Sequence, residues 1–251
     1  MIDIHSHILP GVDDGAQTVE DALKMLLLAA ADGVTVQYLT PHIQPNRFNN
    51  NRQALEERFS VFREQVANAG ITIELRLAAE VHIGPEVMTM VDRGTLPWLG
   101  RWRGEYCFLL ELPSNTLPTG SINLIHWLRK RQITPIIVHP ERNREFQKQP
   151  DKLRPFIEAG CPLQITSGSL SSRFGPEAQV LAEQLLKGRY VSAIATDSHN
   201  LAYRPPCLSE GFKMAANILN EGELQHLATL PLLSPLEEEY GVVEQLLTNP
   251  S

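Results

Sequence analysis

The sequence predicts an α/β protein whose parallel strands, joined by helical crossovers, close into a (β/α)7 or (β/α)8 barrel. Three observations predict it. The chain has 251 residues, and one α/β barrel commonly takes about 250. Short β-rich runs alternate with amphipathic helical stretches along the chain, the pattern of a parallel sheet with crossover helices. Neither GxGxxG nor GxxxxGK[ST] occurs, so the alternative, an open doubly wound sheet, lacks a nucleotide-binding loop to support it.

The β-rich runs occupy residues 2–5, 34–40, 71–81, 106–112, 133–139, 161–166 and 190–196. Between them, apolar residues recur at helical spacing over 19–31, 52–69, 121–130, 152–159, 176–187 and 208–219. Gly33, Gly70, Gly160 and Gly188 each follow the last periodic residue of such a stretch and are expected to stop it. No repeat, low-complexity tract or linker divides the chain. One domain over 1–251 is expected, with the acidic, proline-containing tail after Pro231 a terminal extension.

Composition narrows the function. Hydrophobic residues at 43% and charged residues at 20% supply a real core and exclude general disorder. A formal charge of −7 and an aromatic content of 6% argue against a nucleic-acid partner. The longest apolar runs, such as 25–31, fall short of the ~20 residues of a spanning helix. No basic region precedes an apolar one at the N-terminus, so no signal peptide is expected. Cys107, Cys161 and Cys207 are odd in number and form no CxxC pair, which fits a reducing cytoplasm and buried small side chains.

The chemistry-bearing residues collect where the β-runs end. His5 and His7 are two apart, so on a strand both imidazoles face one side, as a chelate requires. Asp13-Asp14-Gly15 follows the first run, Thr40-Pro41-His42 the second, Ala79-Glu80-Val81 the third and Leu110-Glu111-Leu112 the fourth. Val138-His139-Pro140-Glu141-Arg142 ends the fifth and Thr196-Asp197-Ser198-His199 the seventh. Charged groups are costly to bury without partners, and the carboxyl ends of barrel strands carry the active site. The set therefore converges on one cleft, with enough mixed nitrogen and oxygen donors for two or three ions of Mn, Fe or Zn rather than Ca or Mg. His126 and His226 fall in helical segments, and His82 lines the cleft at most.

Taken in order, these motifs resemble the PHP (polymerase and histidinol phosphatase) domain. More narrowly, they are similar to the bacterial metal-dependent protein-tyrosine phosphatases of capsule and exopolysaccharide biosynthesis. The stretch from Ile2 to Gly15 carries the likeness, with Leu39-Thr40-Pro41-His42, Ala79-Glu80, Leu110-Glu111-Leu112-Pro113 and His139-Pro140-Glu141-Arg142-Asn143. Gly168-Ser169-Leu170 with Arg173-Phe174-Gly175, and Thr196-Asp197-Ser198-His199-Asn200 with Arg204-Pro205-Pro206, extend it to residue 206. The flank Val81-His82-Ile83-Gly84 departs from the form of the Gram-positive members. The resemblance implies a distorted (β/α)7 TIM-like barrel holding three metals, usually manganese. It implies that His5, His7 and Asp197 bind one ion and that Glu80 bridges it to a second, completed by Glu111 and His139. Asp14, His42 and His199 would hold the third. The implied substrate is phosphotyrosine on a membrane-associated tyrosine kinase of polysaccharide synthesis.

Charge arithmetic supports such a route. A phosphate monoester dianion repels hydroxide, and bridged metals can supply hydroxide from a shared water while clamping the phosphoryl oxygens. Arg142 and Arg204 are the candidate catalytic arginines, as planar donors to the phosphate; a surface ion pair is the ordinary alternative for each. A tyrosyl leaving group, with a pKa near 10, departs with less help from a general acid than an alkoxide would, and the sequence assigns no such acid. Asp13 adjoins a presumed ligand, which by itself assigns it no role. Thiol chemistry fails on spacing: six residues after the three cysteines stand Pro113, Ser167 and Lys213, not arginine. No GxSxG elbow occurs either. Two other readings remain: a PHP phosphatase of a small molecule such as histidinol phosphate, and an accessory metal-binding module without turnover. The full ligand set disfavours the second of these, and the contexts of Asp13-Asp14-Gly15 and of His139 favour a protein substrate over the first.

Overall fold

The computed structural model describes residues 1–236. Its strands are β1 (Ile2–Asp3), β2 (Val36–Leu39), β3 (His42–Ile43), β4 (Glu74–Leu77), β5 (Glu80–His82) and β6 (Gly100–Trp102). They continue with β7 (Glu105–Glu111), β8 (Ile133–Val138), β9 (Leu163–Thr166), β10 (Val191–Ala195) and β11 (Leu233–Ser234). The helices are α1 (Val19–Ala31), α2 (Arg52–Asn68), α3 (Glu86–Asp92), α4 (Ser121–Arg129) and α5 (Arg144–Lys148). After them come α6 (Arg154–Glu158), α7 (Ser167–Leu170), α8 (Pro176–Lys187), α9 (Leu208–Ala215) and α10 (Glu221–Thr229).

Parallel pairing dominates. One sheet runs β1-β2-β4 and the other β10-β9-β8-β7-β5-β3. Only β6 and β11 run antiparallel among the described strands, β6 against β7 and β11 against β6. The expected strand over 34–40 appears as β2; Pro41, which has no N–H for a ladder, follows it, and β3 begins at His42. The expected strand over 71–81 splits into β4 and β5. Here the Ala78 N–H donates to Leu39 O (3.0 Å) and carries the pairing past the break. The segment after β1 bonds on both sides: the Thr40 N–H donates to Ser6 O (2.8 Å), and the His7 N–H to Ser198 O (2.8 Å).

The helices form where amphipathic periodicity and caps coincide. In α1 the buried residues are Ala22, Met25, Leu26 and Ala29, one stripe at three- and four-residue spacing. Thr18 caps it by accepting the Asp21 N–H (3.1 Å). The expected helices over 19–31 and 176–187 appear with those bounds. The stretch over 152–159 begins instead as a tight 3-10 turn at Pro150–Leu153, and α6 starts only beside Pro155, since proline cannot continue a helix from within. Gly33, Gly70 and Gly160 take the left-handed conformation that ends a helix (φ 93°, 70° and 81°). Gly188 does not (φ −76°); Arg189 takes it instead (φ 59°). Helix α10, unforeseen from periodicity, is announced by a capping box of Asn220 and Glu223. The tail after Pro231 is not wholly an appendage. Leu233 and Ser234 pair with Trp102 and Arg101, and residues 237–251 lie outside the described residues.

Strand alternation sorts the apolar residues into two cores. Phe108, Leu110, Ile137 and Ile194 point to the larger core beneath the helices. Their neighbours Cys107, Leu109, Ile136, Val138, Ala193 and Ala195 point the other way, into a smaller core with Ile4 and Tyr38. On β9, Gln164 alternates with Leu163 and Ile165 and is buried. Deep in the fold, buried Asp3 accepts from Gln37 Nε2 (3.0 Å), from the Thr196 N–H (3.0 Å) and from Thr196 Oγ1 (2.6 Å). It thereby ties β1 to β2 and to the end of β10. Burial pushes its carboxyl above the usual range, against those hydrogen bonds. Asp3→Ala would take the acceptor from these three buried donors and is expected to cost about 3 kcal/mol, against about 1 kcal/mol for Thr18→Ala at an exposed cap. Urea unfolding midpoints at constant slope check the ranking; equal losses would mean that Asp3 is not a structural tie.

Candidate metal centre

The sequence-nominated donors meet just beyond the strands. His5 and His7 follow β1, His42 opens β3, Glu80 opens β5, Glu111 closes β7, His139 follows β8, and Asp197 and His199 follow β10. All of these but Glu111 are buried. Gly15 is required beside them: a Cβ there would lie 1.9 Å from His7 O, where the Ala16 N–H donates (2.9 Å). His139 (φ 34°) and Asp197 (φ 49°) both hold the left-handed backbone that costs a side chain strain, a feature that clusters at functional sites.

Donor atoms gather in three sets whose members lie within 4.8 Å of one another. These are His5, His7, Glu80 and Asp197; His7, Asp14, His42 and His199; and His42, Glu80 and Glu111. His139 joins none of the three, but its Nε2 lies 2.6 Å from Glu80 Oε1. The partition thus differs from the implied one in placing His7 in two sets and His42 beside Glu111. In the first set, His5 Nε2 and His7 Nε2 are each 3.3 Å from Glu80 Oε2 and 3.4 or 3.3 Å from Asp197 Oδ1.

The outer nitrogens fix what those inner atoms are. His5 Nδ1 lies 2.8 Å from Gln164 Oε1, and His7 Nδ1 lies 2.6 Å from Asp13 Oδ2. Both partners are acceptors, so by assignment each Nδ1 carries the proton and each Nε2 points a lone pair inward. Yet the two Nε2 atoms are 3.3 Å apart. Asp197 Oδ1 and His199 Nε2 are buried without a hydrogen-bond partner among the described residues, and Glu80 Oε2 lies 2.9 Å from His42 Nδ1. Such a cluster of inward lone pairs and carboxylate oxygens fits divalent cations, with the nitrogen and oxygen donors of a transition metal.

The charges in the cluster shift one another strongly. Burial alone would raise Asp197, but Arg204, His5 and Arg142 hold its carboxyl well below the usual range. Burial and the charge of Glu80 push Glu111 well above it. Burial would lower His7, and Asp13 carries it well above its ordinary value. His139 is pushed down to about 4 by burial and by Arg142, and His199 to about 4 by burial and by His7. Arg142 and Arg204 converge on a single oxygen, Asp197 Oδ2.

Sequence reasoning missed the outer partners. Asp13 is a holder: its Oδ2 accepts from the His42 N–H (3.0 Å) besides meeting His7, and its Oδ1 accepts from the Gly15 N–H (2.9 Å). Only strand alternation could have pointed Gln164 at His5. Phe48 stacks on His42 with ring centroids 5.2 Å apart. His126 and His226 are exposed, and His82 belongs to none of the three sets. Burial pushes the Cys161 thiol up to about 12 and raises Cys107 and Cys207 as well, which makes poor nucleophiles of all three.

Known proteins resemble this chain over most of its length. The profile of the family described as capsular polysaccharide synthesis, CpsB/CapC, matches residues 1–230. The tyrosine-protein phosphatase YwqE of Bacillus subtilis is 31% identical over 204 residues, 81% of this chain and 79% of its own. The tyrosine-protein phosphatase CpsB of Streptococcus pneumoniae is 28% identical over 222 residues, 86% of this chain and 90% of its own. Crystal structures of YwqE from Bacillus subtilis and CpsB from Streptococcus pneumoniae, described as unique metal-dependent tyrosine phosphatases, include a chain that matches at a TM-score of 0.85. That match has 28% identity and covers 95% of this chain and 100% of the other.

Removing a carboxylate that orients a ligating imidazole typically weakens metal binding by about 10- to 100-fold. Asp13→Ala is therefore expected to weaken binding of a divalent transition-metal ion on that scale, with an unchanged far-UV circular dichroism spectrum, when titrated against a fluorescent chelator. Wild-type affinity in the variant would deny Asp13 this role.

Proposed function

Because this chain belongs to the CpsB/CapC family of capsular polysaccharide synthesis, we propose that it is a metal-dependent protein-tyrosine phosphatase. The observation that carries the reading is the inward set of His5, His7, Glu80 and Asp197 donors, with Arg142 and Arg204 converging on the same aspartate. The substrate proposed is phosphotyrosine on a membrane-associated tyrosine kinase of polysaccharide synthesis, in keeping with the family description and the named activity of the relatives. The metal proposed is manganese in three sites, with iron or zinc as substitutes. His5, His7 and Asp197 would form one site, Glu80 would bridge to Glu111 and His139, and Asp14, His42 and His199 would form the third. When bound, such ions supply positive charge to the phosphoryl group and acidify water.

The chain's own groups do the rest. Arg142 and Arg204 are planar donors able to grip phosphate oxygens in pairs, and Asp197 Oδ2 marks the anionic position they already favour. Gln164 and Asp13 keep the imidazole lone pairs of His5 and His7 pointing inward. A tyrosyl oxygen, with a pKa near 10, leaves without a strong acid. The thiol route has no support, since the three cysteines are free, protonated by burial and unmatched by an arginine at the required spacing.

The fold proposed to carry this is one domain forming a distorted (β/α)7 barrel. In its support, parallel pairing runs from β3 through β10, and the Asp197 N–H donates to His5 O (2.8 Å), leading back to the segment after β1. No helix among the described residues is long and apolar enough to cross a membrane. Three free cysteines support the proposed cytoplasmic home.

EDTA treatment is expected to abolish hydrolysis of p-nitrophenyl phosphate and of a phosphotyrosine peptide, and Mn2+ to restore both. Activity that survives EDTA would sink the reading, and faster turnover of histidinol phosphate than of the peptide would move it to a small-molecule phosphatase. His139→Ala should lower kcat/KM by about 100-fold, while exposed His126→Ala leaves it unchanged, both with wild-type thermal midpoints.

A further inference from the structure

Phe174 has no part in the donor sets, yet it touches both candidate phosphate-binding arginines. The Arg142 guanidinium carbon lies 4.6 Å from its ring centroid and the Arg204 guanidinium carbon 5.7 Å. The ring is half-buried in the turn between α7 and α8. That turn is pinned on both sides. The Arg173 N–H donates to Gly168 O (2.9 Å) and the Gly175 N–H to Ser172 O (3.0 Å). Arg173 Nη2 meets Glu210 Oε2 (3.0 Å), and Gly175 holds a left-handed φ of 93° before α8 begins.

The two guanidiniums present a charge problem. Each donates to the same oxygen, Asp197 Oδ2, which brings two like charges onto one acceptor. Their side chains are only 21% and 24% exposed, so water screens the repulsion poorly. The face of an aromatic ring carries negative charge and attracts a cation over it, more strongly as the pair is desolvated. A ring within reach of both guanidiniums therefore offsets part of their mutual repulsion and restricts where they sit. This matters most if an anion draws them off Asp197, because a carboxylate then no longer holds them together.

We propose that Phe174 is a positioning residue: its ring is a shared platform that keeps Arg142 and Arg204 side by side to receive the phosphoryl group. The inference rests on the reading of those arginines as phosphate contacts. It assigns the ring no contact with the phosphate itself. A leucine would keep apolar bulk in the turn but remove the ring face; a tyrosine would keep the face.

The test compares wild type, F174L and F174Y as full-length, manganese-loaded protein. Calorimetric titration with inorganic phosphate should show affinity weaker by about tenfold in F174L, the scale of two partly desolvated cation–π contacts. F174Y should bind as wild type does. In NMR spectra of arginine-labelled, metal-free protein, the Nε–H resonances of Arg142 and Arg204 should lose their ring-induced displacement in F174L and keep it in F174Y. Thermal midpoints show that the variants fold. Unchanged phosphate affinity in F174L, or arginine resonances that do not move, would overturn the proposal. If wild type binds phosphate, F174L weakens it, and yet no protein form hydrolyses phosphotyrosine, the platform stands and the proposed activity falls.

Discussion

The feature on which the rest of this structure depends is a surplus of buried lone pairs. Two imidazole nitrogens and two carboxylate oxygens face one another at 3.3 to 3.4 Å, and the outer nitrogens that could relieve them are committed to Gln164 and Asp13. Apolar packing cannot answer such a cluster, whose buried carboxylates call for protons on the imidazoles or for cations to balance them. The surrounding architecture is a means of holding it together. Strand ends bring the donors in from separate parts of the chain, and strained backbone at His139 and Asp197 turns two of them inward. Asp3 ties the strands beneath.

That dependence explains what could be read from the sequence. Each donor sits at the end of an apolar run, and the transition from apolar to charged is a local signal. Pairs such as His5 and His7 add the two-residue repeat of a strand, and helices 19–31 and 176–187 carry long, regular stripes. All of this is local and survives being read one residue at a time. Gln164 shows the opposite case. Nothing around it marks it as special, because its role depends on His5, which lies 159 positions away. Asp13 looked like a spare acid and is an anchor, since only the folded loop reveals that both its oxygens are occupied.

The misread elements have a common physical origin as well. The run over 71–81 divides into β4 and β5 opposite Pro41, which has no N–H and separates β2 from β3, while the parallel register runs on unchanged from Leu39 against Leu77 to His42 against Glu80. The short pieces α3, α5, α7, β6 and β11 span from two to seven residues, too few for a period to show. Acidity and proline mark the residues after Pro231 as a terminal extension, and within them Leu233 and Ser234 form an antiparallel edge against Trp102 and Arg101. Composition describes a segment's average, whereas pairing depends on two residues meeting the right backbone.

The arginines complete the electrostatic account. An acidic chain of formal charge −7 would repel a phosphate dianion unless positive charge is concentrated where the substrate enters. Divalent ions in the proposed sites would supply most of it, but ions alone attract any anion. As proposed phosphate contacts, Arg142 and Arg204 would add direction, since a guanidinium donates in a plane and two of them define a width between donors. They already occupy that arrangement around one oxygen of Asp197, whose other oxygen is left without a hydrogen bond. Asp197 thus belongs to both halves of the site: one oxygen faces the imidazoles of His5 and His7, and the other faces the cations. A carboxylate shared in this way couples the two. In the proposed centre, a cation held at Oδ1 would weaken Oδ2 as a partner for the two arginines proposed to receive the phosphate.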